Sequence, residues 1–394
     1  MERGFAHELS YGVSRLQGRL DHLINPWLHQ GPDSLDWEVR ILLRIGVYQL
    51  LRMDRVPDYA AVSQTVDMAV AAGHDRARGM VNAILRRAGQ AGEGEDRFPD
   101  PQVDPAGWLT SWGSHPRWLI DRWLARWDFD QVRTLVEANN EIPHTHLVPL
   151  SGDVEAATRA LSEAGIEVGV DGVAGTLRLP HADPTEALKV VPGFIQDPAA
   201  ALVCRYAAPP RDALVADLCA APGGKSLYLA RQARYVLAAD PAAPRLAIVR
   251  ENAERTGLPI GLVQARAEAV PCISADLTLI DAPCSGTGTL RRHPDARWRL
   301  DPQAPVQLAE VQARILQNAQ RSVPVGGLLV YSTCTLEPEE NRDQVRQFLA
   351  EHPGFEMDPP QDPDLKLDDE GMLEVLPHRD GADGAFAARL RRTS

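Results

Sequence analysis

A chain of 394 residues exceeds what one hydrophobic core ordinarily organises, so two or three domains are expected. With 44% hydrophobic and 24% charged residues it is neither disordered nor fibrous, and no stretch approaches the roughly eighteen consecutive apolar residues that a membrane span needs. The net charge of −13 argues against nucleic acid as a partner only when averaged, because the acidity falls in residues 99–200 and 356–394 while 201–355 is nearly neutral with local basic clusters.

The amino-terminal stretch Met1-Glu2-Arg3-Gly4-Phe5 opens a polar amphipathic segment without the apolar core of a signal peptide. Five cysteines, at 204, 219, 272, 284 and 334, are scattered, odd in number and free of CxxC spacing. That pattern argues against a disulfide framework or a metal centre and for a reducing cytoplasm. No metal and no membrane are expected as partners, and the chain is expected to be a monomer.

Residues 1–92 are expected to be all-helical. Apolar residues recur at helical spacing at Val39, Leu42, Leu43, Val47 and Leu50, and again at Val62, Val66, Ala69 and Val70, with Arg55-Val56-Pro57-Asp58 as the break. A second region, 93–200, begins with a Gly-, Asp- and Pro-rich linker and continues into helix over 108–140, where Trp118, Trp123 and Trp127 suit burial better than base stacking. Short β-rich pieces at 146–150, 166–170 and 177–179 then surround a helix at 154–164, which suggests a small α/β subdomain. Over 201–394 the strand candidates 214–218, 235–239, 260–264, 276–280 and 327–331 alternate with helices, the signature of a doubly wound, mostly parallel sheet.

The first strand of that third region runs into Cys219, Ala220, Ala221, Pro222, Gly223, Gly224 and Lys225. Two glycines admit a ligand close to the backbone, and a helix start offers free N–H groups. Gly224-Lys225-Ser226 imitates the end of a nucleotide P-loop, but that motif needs a glycine where Cys219 stands. Asp240 closes the next strand, where a carboxylate suits the two hydroxyls of a ribose. Two further strands end at Asp281-Ala282-Pro283-Cys284 and at Ser332-Thr333-Cys334, so both cysteines fall past the carboxyl ends of neighbouring strands. Lone cysteines are usually small buried hydrophobes, the expectation for Cys204 and Cys272. Two at equivalent strand ends suit nucleophilic chemistry, and spacing alone does not say which of the two attacks. Arg291, Arg292, His293, Arg297 and Arg299 form a basic cluster just beyond Cys284, suited to neutralising phosphates.

These segments resemble the RNA cytosine-5 methyltransferases, in particular the bacterial small-subunit ribosomal RNA methyltransferase B (Sun/Fmu-type) group. The resemblance is carried by Asp217-Leu-Cys-Ala-Ala-Pro-Gly-Gly-Lys225, by Asp281-Ala-Pro-Cys-Ser-Gly-Thr-Gly288 with Arg291-Arg-His-Pro-Asp295, and by Tyr331-Ser-Thr-Cys-Thr335 with Glu337-Pro-Glu-Glu-Asn341. Residues 1–92 resemble a NusB-type RNA-binding domain through 40–50 and 81–86. The resemblance implies a Rossmann-like methyltransferase domain over 201–394, S-adenosylmethionine held by Cys219 to Lys225, Asp240 and Asp281, and a cytosine in a loop or bulge of ribosomal RNA as substrate. It further implies Cys334 as the nucleophile, Cys284 as the cysteine that assists release, and Asp281 on the cytosine edge. Transfer RNA as substrate, or a non-catalytic RNA-binding role in ribosome assembly, are the alternatives. Three features depart from the family pattern. Ala265-Arg266-Ala267 stands where an aspartate turn is usual, Leu147-Val-Pro-Leu150 lacks the usual polar residues, and the first NusB-type helix is expected to be short or absent.

Overall fold

The computed structural model describes residues 2–29, 31–169, 174–181, 183–269 and 274–394. They form two compact units, one built from residues up to Glu141 together with Leu290–Pro302, the other from Ile142–Thr289 and Gln303–Ser394. No helix among the described residues is long and apolar enough to cross a membrane.

The first unit is helical. Helices Trp37–Arg52, Asp58–Ala71 and Arg78–Ala91 bury Leu43, Val47, Val66, Val81 and Leu85 in a common core, with Pro57 breaking the chain where the pattern predicted. A helix also forms at Glu2–Arg15, where a short or absent one was expected. Asp128 opens helix Phe129–Asn140 with a capping box: its carboxylate accepts from the Gln131 amide while the Gln131 side chain accepts from the Asp128 amide. Of the three tryptophans expected inside, Trp123 is sealed, whereas Trp118 and Trp127 are half-buried and the Arg126 guanidinium lies 4.3 Å over the Trp127 ring.

The stretch Leu290–Pro302 overturns part of the basic-cluster expectation. Arg297 is fully buried and donates to the carbonyls of Ser114 (3.1 Å), Asn139 (3.0 Å) and Leu290 (3.2 Å) and to the Asn140 side-chain oxygen (2.8 Å). Arg291 is buried as well, its carbonyl accepting from Arg15. Arg297 serves as an internal staple, because a guanidinium has five donors and can satisfy several stranded carbonyls at once. Of the expected phosphate-facing set, His293 and Arg299 are exposed, and Arg299 pairs with Asp295 at 2.6 Å.

The second unit begins with a three-stranded antiparallel sheet ordered β2-β1-β3, from β1 (Thr145–Pro149), β2 (Leu177–Leu179) and β3 (Gly193–Ile195). The piece expected at 166–170 contributes a single bridge from Gly169 to Arg178 rather than a strand, and residue 170 lies outside the described residues. The principal sheet contains β4 (Leu214–Asp217), β5 (Tyr235–Asp240), β6 (Ile260–Gln264), β7 (Leu277–Asp281), β8 (Leu328–Thr333), β9 (Phe355–Met357), β10 (Leu373–Val375) and β11 (Ala385–Arg392). Its order is β10-β11-β8-β7-β4-β5-β6, with β9 added on β11; β8 through β6 run parallel and β11 is antiparallel. Sequence leaves β4 for β5 and β6 on one side and returns to β7 and β8 on the other. This reversal opens a crevice beyond the carboxyl ends of β4 and β7, where open α/β sheets take their ligands.

Candidate active site

The sequence builds this crevice with backbone as much as with side chains. β4 ends at Asp217, and the chain turns through Cys219, Ala220, Ala221, a cis Ala221–Pro222 bond and Gly223 before helix Gly224–Ala230. Gly223 has φ +105°, and an added Cβ would stand 3.1 Å from Val249, so only glycine lets the turn lie against helix Ala243–Thr256. Asp240 is buried at the end of β5, accepting from the Ala221 amide (3.3 Å) and the Ala242 amide (2.9 Å). Its carboxylate thereby fixes the glycine loop to the neighbouring strand.

A cleft of about 490 Å³ opens here, with Cys219, Asp240, Asp281, Cys284 and Cys334 on its walls. Larger grooves, of about 690 and 1190 Å³, lie in the helical unit and hold none of these strand-end groups. Of the predicted site residues, Cys219, Ala221, Asp240, Asp281, Cys284 and Cys334 line this one cavity, and Lys225 meets Asp281 directly. Lys225 Nζ stands 2.7 Å from Asp281 Oδ2; burial pulls the lysine down, but the charge and hydrogen bond of Asp281, with the neighbouring cysteines, together push it above its ordinary range. Lys225 thus orients Asp281, whose other oxygen accepts from Ser332 Oγ at 3.0 Å. Arg266 and Glu268 also reach the cleft, so an acidic group does arrive where the usual aspartate turn is missing. Cys204 is buried, and burial raises its thiol to about 12, as befits a core residue; Cys272 lies outside the described residues.

The two cysteine sulfurs are 3.4 Å apart. Adjacent strands bring them together: β7 and β8 pair Asp281 with Ser332, and both loops leave the sheet at the same level. The Gly288 amide donates to the Cys334 carbonyl (3.0 Å), and a Cβ on Gly288 would fall 2.7 Å from that carbonyl oxygen. On the Cys284 side, burial and the nearby Cys334 sulfur push the thiol well above its ordinary value.

Beneath the cysteines lies a set of polar groups to which the sequence reading assigned no role. Glu340 and Glu337 are fully buried, although both come from an acidic Pro-containing stretch that reads as solvated. Glu340 accepts from the Ser285 amide (2.8 Å) and Gln312 (3.0 Å), and the Ser285 hydroxyl lies against its other oxygen. The signal available in sequence was membership of the Glu337-Pro-Glu-Glu-Asn341 segment, which carried the resemblance without a role for either acid.

Asp217, at the base of the glycine loop, was read only as the end of a strand. It is sealed from solvent, accepts from Ser226 Oγ at 2.6 Å, and burial raises its carboxyl to about 7. A raised acid is favoured in the fold while protonated. Its contribution is complete below the ordinary carboxyl range near pH 4 and is lost as pH climbs through about 7. Asp217→Asn removes the titration. Relative to it, the wild-type protein is expected to lose stability at up to about 1.4 kcal/mol per pH unit across that window. Urea unfolding of both proteins at several pH values measures the difference; parallel curves would refute it.

Comparison with known proteins bears on this architecture directly. The family described as "16S rRNA methyltransferase RsmB/F" matches residues 205–391, the NusB family matches 1–90, and the ferredoxin-like domain of RsmF/B-like methyltransferases matches 115–184. A probable ribosomal RNA small subunit methyltransferase B of Bacillus subtilis is 32% identical over 99% of this chain and 90% of its own length. The chain belongs to the RsmB/F methyltransferase family. A probable ribosomal RNA small subunit methyltransferase B of Synechocystis is 33% identical, again over 99% of this chain and 91% of that protein. Among solved structures, that titled PH0851 is 25% identical with a TM-score of 0.80, covering 98% of this chain and 89% of that one. The α/β doubly wound methyltransferase domain, the NusB-like helical region and the small ferredoxin-like α/β piece are thus shared family architecture. In this RsmB/F member the matched methyltransferase segment contains the glycine loop, both cysteines and Glu340.

Proposed function

We propose that the chain transfers a methyl group from S-adenosylmethionine to carbon 5 of a cytosine in small-subunit ribosomal RNA, with Cys334 as the covalent nucleophile. The observation that carries this reading is the pair of cysteine sulfurs 3.4 Å apart at the rim of a cleft that also holds Asp281 and Asp240. Carbon 5 of cytosine is too weak a nucleophile to take a methyl group unaided. Addition of the Cys334 thiolate to carbon 6 forms a carbon–sulfur bond and drives the ring electrons toward carbon 5. Asp281, steadied by Lys225, is suited to bind the N3 and amino edge and to supply or hold the proton there. After methylation the carbon 5 proton passes to solvent, its electron pair restores the ring double bond, and the carbon–sulfur bond breaks with its pair returning to Cys334. Cys284, in hydrogen-bonding distance, is suited to donate S–H to that departing sulfur.

The residues fit the methyl donor. A backbone turn kept bare by Gly223 offers amides, and the buried Asp240 carboxylate at a strand end suits a ribose. When bound, S-adenosylmethionine supplies an electrophilic methyl group. Residues Cys219 to Lys225 and Asp240 would hold it. A cytosine must leave its stack to reach the cleft, which favours a loop or bulge. The family's ribosomal RNA relatives favour that substrate over transfer RNA, and the assembled cysteine, aspartate and glycine-loop set favours an enzyme over a non-catalytic assembly factor.

Incubating the protein with methyl-labelled S-adenosylmethionine and small-subunit ribosomal RNA tests the reading. Label recovered as 5-methylcytosine is the expected result; label on another base or position, or none, overturns it.

A further inference from the structure

We propose that Glu340 is a positioning residue that gives the two cysteines different jobs: its buried carboxylate locks the Cys284 loop to the Cys334 loop and keeps the Cys284 sulfur as an S–H donor, leaving Cys334 to attack. This rests on the two-cysteine reading above and adds what decides between two thiols so close together.

Glu340 Oε1 accepts from the backbone amide of Ser285, the residue that follows Cys284, and from Gln312, which also donates to the Pro283 carbonyl at 2.9 Å. The residues on both sides of Cys284 are thus held from one point. The Ser285 hydroxyl, seated against the other Glu340 oxygen, lies 2.7 Å from the hydroxyl of Thr335, the residue that follows Cys334. Thr335 in turn lies 3.0 Å from Thr287 Oγ1, and Thr287 accepts from the Leu336 amide. One carboxylate therefore reaches the near neighbour of each sulfur. The Glu340 carbonyl is itself held by the Tyr331 hydroxyl at 2.6 Å, so the turn that carries the carboxylate is anchored to β8.

Charge then separates the sulfurs. Glu340 sits on the Cys284 side, receiving the Ser285 amide next to that residue, and its charge adds to burial and to the Cys334 sulfur in disfavouring a Cys284 thiolate. Other ionisable groups around Cys284 include Tyr331 on β8, Asp281 at the end of β7, and Cys219, Asp240 and Glu268 on the cleft wall. Positive charges nearby are Lys225, already paired with Asp281, and Arg245 and Arg266, which line the same cleft. Burial raises Glu340 itself, while the donors from Ser285 and Gln312 oppose that rise by solvating the anion. A thiol held 3.4 Å from Cys334, also accepting from the Cys334 amide at 3.4 Å, is placed to donate to whatever charge Cys334 carries.

The test requires neither RNA nor methyl donor, so it stands apart from the methylation assay. Iodoacetamide alkylation of the full chain, read cysteine by cysteine through peptide mass mapping, gives a rate–pH profile for each sulfur. In the wild-type protein Cys284 is expected to react at least about tenfold more slowly than Cys334 at neutral pH, still accelerating beyond the ordinary thiol midpoint near 8.5. Glu340→Gln is expected to speed Cys284 at least about tenfold and to lower its midpoint by about one unit or more, with Cys334 changed less than about threefold. Glu340→Asp, which keeps the charge, is expected to stay slow. An unchanged Cys284 in Glu340→Gln, equal acceleration of both cysteines, or a Glu340→Asp protein as fast as Glu340→Gln would overturn the proposal. If Glu340→Gln does not fold, the wild-type profile decides, since a Cys284 midpoint below about 8.5 contradicts a protected thiol. Absence of 5-methylcytosine with intact alkylation asymmetry would instead fault the proposed reaction and leave the role of Glu340 standing.

Discussion

Cys334→Ala is expected to lower methyl transfer by about four orders of magnitude or more, while Cys284→Ala leaves attack intact and leaves RNA attached to the protein. In the proposed mechanism the first effect is large because Cys284 is held as a donor and does not take over the attack: without sulfur addition at carbon 6, carbon 5 keeps the weak nucleophilicity of an aromatic ring. The second differs in kind. Cys284 stands 3.4 Å from the Cys334 sulfur, and deleting it removes the donor that steadies the departing thiolate. The adduct then persists. Labelled RNA that migrates with the protein on a denaturing gel, in Cys284→Ala and not in Cys334→Ala, is the expected pattern. The opposite pattern would exchange the two roles.

Arg297→Ala is expected to destabilise the helical unit by about 3–5 kcal/mol, a large share of an ordinary domain's stability. The alanine would strand three buried carbonyls and the Asn140 side-chain oxygen that the guanidinium now satisfies. A methionine of similar length is expected to recover little, because it fills the space without supplying donors. Arg299→Ala serves as the control: its partner Asp295 is exposed, and such surface pairs contribute less than about 1 kcal/mol. Urea midpoints of the three variants decide the matter, and an Arg297→Ala protein that unfolds like wild type would mean that those acceptors find other partners.

Arg297 also shows what a linear reading cannot give. Five basic residues within nine positions carry the same pattern whether they face solvent or a bundle of helices. The acceptors that settle the question, at Ser114, Asn139 and Asn140, lie more than 150 residues earlier in the chain. Local signals fared better. The apolar runs of β4, β5, β7 and β8 fell within a residue or two of expectation, since a strand covered on both faces leaves little choice of composition. Glycine loop, Asp240, Asp281 and both cysteines were legible because each sits at a strand end, and the parallel order of the sheet gathers strand ends. Glu340 fell in a segment that carried the resemblance, yet its role stayed hidden for the reverse reason: its partners Ser285 and Gln312 are distant in sequence, and nothing in Glu337-Pro-Glu-Glu-Asn341 announces either. At 166–170 a β-rich composition suggested a strand, yet among the described residues only Gly169 bridges to Arg178, and Ile166 and Val168 pack against the cluster that holds Ala157 and Leu161.

Strand β11 has a bearing on both thiols at once. β11 pairs with β8 along the segment that leads into Cys334, and the Gly384 amide, at its start, donates to the Gly288 carbonyl at 2.7 Å. Both thiol-bearing loops are therefore braced from one strand. Loosening β11 is expected to disturb the two sulfurs together rather than either alone.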